Sequence, residues 1–353
     1  MHLFRELNLM SYVKCVKLSS PSHIAIQEVP YPKKKSSDVL IRVESVGICG
    51  SDIGAYRGIN PLVTYPRIIG HEIVGRVIET GDGMLPTINL GDRVILDPYI
   101  YCGSCYPCSI GRTNCCEQLK VIGVHIDGGM QEVISHPAHM LHKVPDTLSV
   151  DAVPLAEPLT ISLHAIHQTK LKKGEYVVII GAGAIGVLAA LAAMRKYEAH
   201  PILVDIVDTR LQHAKNLGVS HVINAKNEDV IAVISKITNR RMAEVVIEAS
   251  GANASIQLCL ELAAFSGRIA LTGWPKTETP LKTNLITYKE LTISGSRTSV
   301  GEFDEALTIL SKNIIKPSEV ISKVVSLEEI PTLVKELSEY PEKYLKVNAI
   351  ITS

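Results

Sequence analysis

The chain has 353 residues, 46% of them hydrophobic, which is enough material for two domains with their own cores. Lysine plus arginine and aspartate plus glutamate both number 36, so no basic face and no nucleic-acid partner are expected. Eight cysteines are too few for a disulfide scaffold in a chain of this length.

The first 160 residues predict an irregular, largely antiparallel β domain, because short apolar runs alternate with Pro and Gly. The segment Met1–Met10 lacks the apolar core and cleavage site of a secretory signal peptide and has no assigned role. We therefore expect a cytoplasmic protein with reduced thiols. The predicted strands are Val13–Leu18, Ile24–Val29, Val39–Val46, Glu72–Glu79 and Arg93–Leu96.

Three separate segments of this domain carry candidate metal ligands. Cys49 lies in the run GICGSD, His71 and Glu72 lie in GHE, and Glu157 lies in AEP. A cysteine, a histidine and a carboxylate would leave one position of a tetrahedral zinc open, as catalytic sites do.

A second group of cysteines occupies the run CGSCYPCSIGRTNCC with the spacing C-x2-C-x2-C-x7-C. Four thiolates close the coordination of a zinc ion, so this group predicts a structural site without a position for substrate. Either Cys116 or its neighbour Cys115 can be the fourth ligand. Cys15 and Cys259 are isolated among apolar residues and are expected to pack in the cores. The predicted structural ligands are Cys102, Cys105, Cys108 and Cys116.

Residues 176–194 (YVVIIGAGAIGVLAALAAM) contain no charge over nineteen positions, the length of a membrane span. Three early glycines after a β-branched run instead predict a buried strand Tyr176–Ile180, a tight turn and a buried helix. The turn matches G-x-G-x-x-G, which presents backbone N–H groups and a helix N-terminus to a pyrophosphate. The expected contacts of the dinucleotide in this turn are Gly181, Gly183, Ala184, Ile185 and Gly186.

A second strand ends at Asp205, about twenty residues after the glycines. Its carboxylate would accept hydrogen bonds from the adenosine ribose and repel a 2′-phosphate, which favours NAD over NADP. Arg210 is a further expected cofactor contact, and Asp208 is predicted to cap the helix Thr209–Asn216.

The alternation of strands and helices up to residue 296 predicts a doubly wound parallel sheet. Ligands bind at the carboxyl ends of such strands, so Ser250, Thr272 and Gly273 are expected to border the nicotinamide. The remaining predicted strands are Pro201–Val204, His221–Asn224, Val245–Ala249, Arg268–Leu271 and Leu291–Ser294, and the helices are Glu228–Ile237 and Ala254–Ala264.

The tail is predicted to contain the helices Glu302–Lys312 and Leu327–Leu337 and the strand Lys346–Ile351. We expect it to return to the first domain. The predicted domains are a catalytic domain of residues 1–159 and 298–353 and a dinucleotide-binding domain of residues 160–297.

Together, GICGSD, GHE, the four-cysteine run, AEP and GAGAIG resemble the zinc-containing medium-chain dehydrogenase/reductase family. Its polyol branch of sorbitol and sugar-acid dehydrogenases resembles this chain best, and bacterial threonine dehydrogenases are similar. The resemblance implies an α/β protein with a GroES-like β-barrel catalytic domain and a Rossmann coenzyme domain. It also implies two zinc ions, NAD and a homodimer or homotetramer.

The resemblance matches the catalytic zinc ligands to Cys49 and His71, with the carboxylate supplied by Glu72 or Glu157. It matches the fourth structural ligand to Cys116 by the x7 spacing. The implied reaction is hydride transfer to NAD from the carbon that carries a zinc-polarised hydroxyl. Ser51 could take the hydroxyl proton, or could simply bond backbone in its loop.

The position five residues after the ligand cysteine is Gly54, where many relatives have a proton-relaying histidine. Any relay must therefore use water, the ribose or another group. Tyr56 and Arg57 could line the substrate pocket, although Arg57 could be a solvated loop charge. Arg297 could pair with a substrate carboxylate or hold the two domains together.

The predicted function is oxidation of a secondary hydroxyl of a polyol or a sugar acid, such as galactonate or gulonate. The alternatives are a threonine-type or general secondary-alcohol dehydrogenase. A relative without catalysis is disfavoured, since Cys49, Ser51, His71, Glu72 and Glu157 are all present.

Overall fold

The computed structural model describes residues 11–82 and 86–352, so Met1–Met10 lies outside the described residues. The chain divides into two compact units, the first Met1–Glu157 with Ile321–Ser353 and the second Pro158–Val320. The second unit extends beyond residue 297, the predicted end of the dinucleotide-binding domain.

The segment 298–320 belongs to the second unit because polar contacts tie it there. The Thr160 hydroxyl donates to Ser299 Oγ at 2.8 Å, and Arg195 forms an ion pair with Glu319 at 2.6 Å. These contacts join residues more than a hundred positions apart, which local sequence patterns do not reveal.

The strands are numbered in chain order over the described residues. They are β1 (Tyr12–Ser20), β2 (His23–Pro30), β3 (Asp38–Ile48), β4 (Arg67–Ile68), β5 (Glu72–Glu79), β6 (Arg93–Leu96), β7 (Tyr99–Ile100), β8 (Lys120–Val121), β9 (Val133–Pro137), β10 (Leu141–Lys143), β11 (Tyr176–Ile180), β12 (His200–Asp205), β13 (His221–Asn224), β14 (Ala243–Glu248), β15 (Ala263–Leu271), β16 (Thr292–Gly295), β17 (Ile321–Ser326) and β18 (Lys346–Ile350).

The α-helices of the same residues are numbered separately. They are α1 (Gly50–Tyr56), α2 (Tyr106–Ser109), α3 (Ala156–Thr169), α4 (Ala184–Arg195), α5 (Asp208–Asn216), α6 (Val230–Ile237), α7 (Asn253–Leu262), α8 (Thr283–Lys289), α9 (Phe303–Ser311) and α10 (Ile330–Glu339).

The first unit is built around a sheet with the order β10-β6-β5-β3-β18-β17, and β9 also pairs with β3. Its pairings are antiparallel except that β17 and β18 are parallel. Strand β3 is buried along almost its whole length because partners cover it on both edges. Gly47 near its end lies opposite Glu72 of β5 and Asn348 of β18. Three strand ends therefore meet where Cys49 follows β3.

The second unit contains a six-stranded parallel sheet with the order β13-β12-β11-β14-β15-β16. This is the doubly wound order, so the predicted sheet is confirmed. The uncharged run 176–194 forms β11 and α4, and among the described residues no helix is long and apolar enough to cross a membrane. A Cβ at Gly186 would collide with the Gly181 carbonyl oxygen, so α4 packs on its strand only with glycine there.

Two local predictions were wrong. Helix α5 begins at Asp208, and its N-cap is Val207 with an extended backbone. The Asp208 carboxylate accepts instead from Asn224 Nδ2 at 2.6 Å, because tertiary pairing outweighs local capping. Strand β15 begins at Ala263, so α7 ends at Leu262 rather than at the predicted Ala264.

Candidate active site and metal centres

The first unit brings together Cys49, His71 and Glu72, whose ligand atoms all lie within 4.8 Å of one another. Cys49 stands between β3 and α1, and Glu72 opens β5 opposite Gly47. A Cβ at Gly47 would collide with the Glu72 carboxylate, so glycine makes room for this side chain. A thiolate, an imidazole and a carboxylate fit a catalytic zinc that keeps one position open.

One carboxylate, that of Asp52, connects the two ligand segments. Its Oδ2 accepts from the Cys49 backbone N–H at 2.9 Å, and its Oδ1 accepts from the Gly70 N–H at 3.1 Å. Asp52 is buried, so both bonds are shielded from water. Asp52 therefore fixes the backbone on which both Cys49 and His71 stand.

The segment 123–130 supports the backbone before His71 from the other side. The Gly129 N–H donates to the Gly70 carbonyl at 2.9 Å, and the Gly128 N–H donates to the Ile68 carbonyl at 2.7 Å. A Cβ at Gly128 would collide with the Gly70 carbonyl oxygen. This close backbone approach is the physical reason for Gly128, whereas a Cβ at Gly129 would collide with the Ile73 side chain.

Glu72 has a buried cationic partner in Lys346. The Lys346 ammonium donates to the Glu72 carboxylate and, at 2.9 Å, to the Ile48 carbonyl. Burial lowers the pKa of Lys346, but Glu72, Cys49 and Glu157 together outweigh burial and raise it, which favours the charged ammonium. Strand β18 of the C-terminal tail thus places a positive charge beside the candidate metal ligands.

Glu157 lies at the start of α3, next to this cluster but outside its 4.8 Å set. It is buried and accepts a hydrogen bond from the Tyr99 hydroxyl. Burial raises the pKa of Glu157 to about 7, and burial together with Glu157 raises the pKa of Tyr99 well above its usual value. Tyr99 therefore keeps its proton and donates the hydrogen bond that orients Glu157. The Glu157 carboxylate is close enough to His71 to raise the pKa of the imidazole.

The Ser51 hydroxyl is buried and has no hydrogen-bond partner among the described residues. It lies in the first turn of α1, two positions after Cys49. An unpartnered buried hydroxyl is costly, which fits a group that bonds a ligand at the open metal position. Gly54 lies one turn later and faces Asn60 and Ile59.

The two predicted substrate residues on α1 and just after it have other partners. Tyr56 is buried in the hydrophobic core of the first unit. The Arg57 guanidinium donates to the Ser338 carbonyl near the end of α10. We therefore do not propose either side chain as a substrate contact. Arg297 follows β16 and is exposed.

The four cysteines Cys102, Cys105, Cys108 and Cys116 place their sulfurs within 4.8 Å of one another. The Cys105 and Cys108 sulfurs are 3.4 Å apart, and Cys116 Sγ accepts from the Cys102 N–H at 3.3 Å. Backbone N–H groups of the lobe lower the pKa of Cys102 to about 6, which favours the thiolate. Cys115 stands outside this group, so the geometry favours Cys116 as the fourth ligand of a closed zinc site.

In the second unit, Asp205 and the glycine turn meet at the carboxyl edge of the sheet. Asp205 Oδ2 accepts from the Ala182 N–H at 2.5 Å, and Oδ1 accepts from the Ile206 and Val207 N–H groups at 2.7 and 2.9 Å. Gly183 is the N-cap of α4, whose N-terminus therefore opens toward the turn. Arg210 lies in α5, which follows Asp205 directly.

Ser250, Thr272 and Gly273 lie at the same edge, in the loops after β14 and β15. They surround a residue that the sequence analysis missed, the fully buried Glu248. The Ser250 hydroxyl donates to Glu248 Oε1 at 2.5 Å. The available signal was a carboxylate that directly follows the apolar run 245–247 and lies two residues before Ser250.

Two family models match the chain, the alcohol dehydrogenase GroES-like domain over residues 35–146 and the zinc-binding dehydrogenase domain over residues 184–312. A zinc-type alcohol dehydrogenase-like protein of Haemophilus influenzae is 66% identical over 338 residues, covering 96% of this chain and 98% of that protein. The chain belongs to the zinc-type alcohol dehydrogenase family.

More distant members of the zinc-type alcohol dehydrogenase family include the L-galactonate-5-dehydrogenase of Escherichia coli K12. It is 33% identical over 293 residues, covering 83% of this chain and 85% of that protein. A crystal structure of the alcohol dehydrogenase rspB from E. coli CFT073, complexed with NADH, has a TM-score of 0.91 and 31% identity. It covers 97% of this chain and 100% of that one.

Family membership confirms the predicted fold class, a GroES-like domain with a Rossmann-type parallel sheet. It also confirms the predicted enzyme class, an NAD(P)-linked zinc-type alcohol dehydrogenase. The two metal-ligand groups of the first unit supply the donor sets that zinc requires.

Proposed function

We propose that this zinc-type alcohol dehydrogenase oxidises a secondary hydroxyl of a polyol or sugar acid and transfers the hydride to NAD. The observation that carries the chemistry is the convergence of Cys49, His71 and Glu72, together with the buried Ser51 hydroxyl two positions after Cys49, which has no hydrogen-bond partner among the described residues. The substrate class is supported by the similarity to the L-galactonate-5-dehydrogenase.

For the catalytic zinc, the proposed ligands are Cys49, His71 and Glu72, because their donor atoms already converge. Glu157 is proposed as the neighbouring carboxylate that Tyr99 holds in place. The positive charges of the Zn²⁺ ion and the Lys346 ammonium would then offset the negative charges of the Cys49 thiolate and the carboxylates, which lowers the cost of burying them.

When bound, zinc lowers the pKa of a hydroxyl that ligates it. Ser51 is proposed to accept the substrate proton, since its hydroxyl is buried and has no other partner among the described residues. Because Gly54 has no side chain, the proton must leave through water, the ribose or another group. The closed site of Cys102, Cys105, Cys108 and Cys116 is proposed to hold the structural zinc.

Asp205 is proposed to select NAD. Its carboxylate borders the glycine turn, where it would bond the ribose hydroxyls and repel a 2′-phosphate. The similarity to a structure complexed with NADH supports the same cofactor. The homodimer or homotetramer and the cytoplasmic location stay predictions, which light scattering and cell fractionation would test.

The deciding experiment supplies polyols, aldonates, threonine and simple secondary alcohols with NAD or NADP and follows reduced-nicotinamide absorbance. We expect the highest kcat/KM for a polyol or aldonate with NAD. Activity confined to threonine, or a preference for NADP, would refute the corresponding part of the proposal.

Two variants test the proton acceptor. Ser51→Ala should lower kcat by about 100-fold or more with zinc content unchanged, since general-base catalysis contributes at least that factor. Ser45→Ala is the matched control, because Ser45 is also a buried hydroxyl without a partner among the described residues but lies within β3. Equal effects of the two substitutions would assign Ser51 a packing role.

The variants Glu72→Gln and Glu157→Gln distinguish the two carboxylates. Loss of the catalytic zinc in the Glu72 variant, with retention in the Glu157 variant, is the expected result. If instead the Glu157 variant lost the catalytic zinc and the Glu72 variant retained it, Glu157 would be the third ligand.

A further inference from the structure

The fully buried carboxylate of Glu248 lies at the carboxyl end of β14 in the second unit. Its Oε1 accepts from the Ser250 N–H at 2.9 Å, the Ser250 hydroxyl at 2.5 Å and the Gly251 N–H at 3.0 Å. Its backbone carbonyl accepts from Thr272 and Gly273 at 2.9 and 3.2 Å. One residue thus fixes the loops after β14 and β15.

The turn that Glu248 holds also packs on the glycine turn of the dinucleotide site. Gly181 has φ of +109°, and a Cβ there would lie 3.1 Å from the Ala249 carbonyl carbon and 3.2 Å from the Ser250 nitrogen. The Ala249 N–H donates to the Ile180 carbonyl at 2.8 Å. Residues 249–251 therefore pack directly against Gly181, and a shift of these residues would also displace the glycine turn.

The loop after β15 packs just as closely on the loop after β14. Gly251 has φ of +71°, and a Cβ there would lie 3.0 Å from the Trp274 nitrogen. A Cβ at Gly273 would collide with Glu248 Oε2 and the Gly251 nitrogen. The backbones of Gly251 and Gly273 are therefore in close contact, and the Glu248 carboxylate lies against Gly273.

A buried carboxylate is costly unless several donors compensate for its lost hydration. A neutral side chain would be cheaper to bury at this position. The hydrogen-bond donors around the carboxylate explain why a charge is placed here. These donors belong to loops at the carboxyl end of a doubly wound sheet, where ligands bind.

We propose that Glu248 is a positioning residue for the nicotinamide dinucleotide. It holds the loops at the carboxyl ends of β11, β14 and β15 in the arrangement that the cofactor requires. The proposal rests on the proposed function, because it takes a nicotinamide dinucleotide as the ligand of this edge.

The test is Glu248→Gln in the full, zinc-loaded chain. Glutamine keeps the size but replaces one acceptor oxygen by an amide donor that opposes the loop N–H groups. The Kd for NADH and the KM for NAD should rise about tenfold or more, which corresponds to the loss of one buried charge-assisted bond, while kcat at saturating NAD changes much less.

The matched control is Glu244→Gln on the same strand. The Glu244 carboxylate accepts from the Tyr176 N–H at 2.9 Å and pairs with Arg241 at 2.7 Å, at the amino end of β14. This substitution should lower the melting temperature and leave the Kd for NADH unchanged.

An unchanged Kd for NADH in Glu248→Gln would overturn the proposal even if its melting temperature fell, because a merely structural role affects stability alone. If that variant does not fold, Glu248→Asp decides, since it keeps the charge but withdraws the carboxylate from the Ser250 and Gly251 N–H groups. Weaker NADH binding by the aspartate variant supports the proposal, and unchanged binding overturns it. A wild-type chain that bound neither NADH nor NADPH would refute the proposed function, and this inference with it.

Discussion

Replacing Asp52 by alanine tests whether a single carboxylate assembles the catalytic zinc site. The buried carboxylate accepts from the N–H groups of Cys49 and Gly70 at 2.9 and 3.1 Å. Each such bond to a charged group contributes about 1.5–3 kcal/mol, so the free energy of unfolding should fall by about 3–6 kcal/mol. Because both N–H groups flank zinc ligands, affinity for the catalytic zinc should fall about 10–100-fold.

The assay measures zinc per chain after dialysis against a chelator, together with urea unfolding and NADH formation. Asp52→Ala should keep the structural zinc and lose the catalytic one, and activity should fall in proportion. Asp92→Ala is the control, since Asp92 also bonds a backbone N–H, that of Asn89 at 2.8 Å, and a lysine, Lys143, at 2.8 Å. An Asp52→Ala protein that is destabilised but keeps wild-type zinc affinity would refute the reasoning.

Three further predictions follow from the two units. Cys115→Ala should leave zinc content and melting temperature unchanged, whereas Cys105→Ala should remove one zinc per chain, so metal loss from the Cys115 variant would contradict the ligand set. In urea unfolding of the zinc-free protein, Lys346→Met should cost about 3–5 kcal/mol, because the buried Glu72 carboxylate then has neither zinc nor the ammonium beside it, and a near-neutral effect would show that the pair is dispensable. Burial opposes ionisation of Glu302, but hydrogen bonds from histidines lower its pKa to about 2, and the Glu302 bond raises the pKa of His167. Glu302 therefore stabilises the fold fully above its ordinary pKa of 4.5, and His167 does so fully below 6.5. The melting-temperature difference between wild type and Glu302→Gln should be largest between these values and shrink on both sides, and a pH-independent difference would contradict this account.

Patterns confined to short segments were the reliable part of the sequence analysis. The run 176–194 predicted a strand, a turn and a buried helix, and β11, the glycine turn and α4 have that order. The four-cysteine spacing identified a set of sulfurs that does converge. Both signals succeed because the geometry of one turn or one loop follows from the spacing of a few residues.

Helix N-caps and the partners of individual side chains were less predictable from the sequence. Asp208 had the composition of an N-cap, yet a side chain from a neighbouring strand, Asn224, satisfies its carboxylate. Tyr56 packs in the core of the first unit, and Arg57 is exposed and bonds the end of α10, which fits the alternative of a solvated loop charge. Such choices depend on partners that are distant in the chain.

By itself, the sequence determined the residue types of both metal centres, the dinucleotide turn and the alternation that builds a parallel sheet. Only the tertiary structure decided which polar groups hold these parts together. Asp52 joins two zinc-ligand segments, Lys346 reaches Glu72 from the tail, and Glu248 fixes two loops and the turn that packs on Gly181. The physical reason is that a buried charge is stable only with its partners, and the fold alone brings those partners within reach.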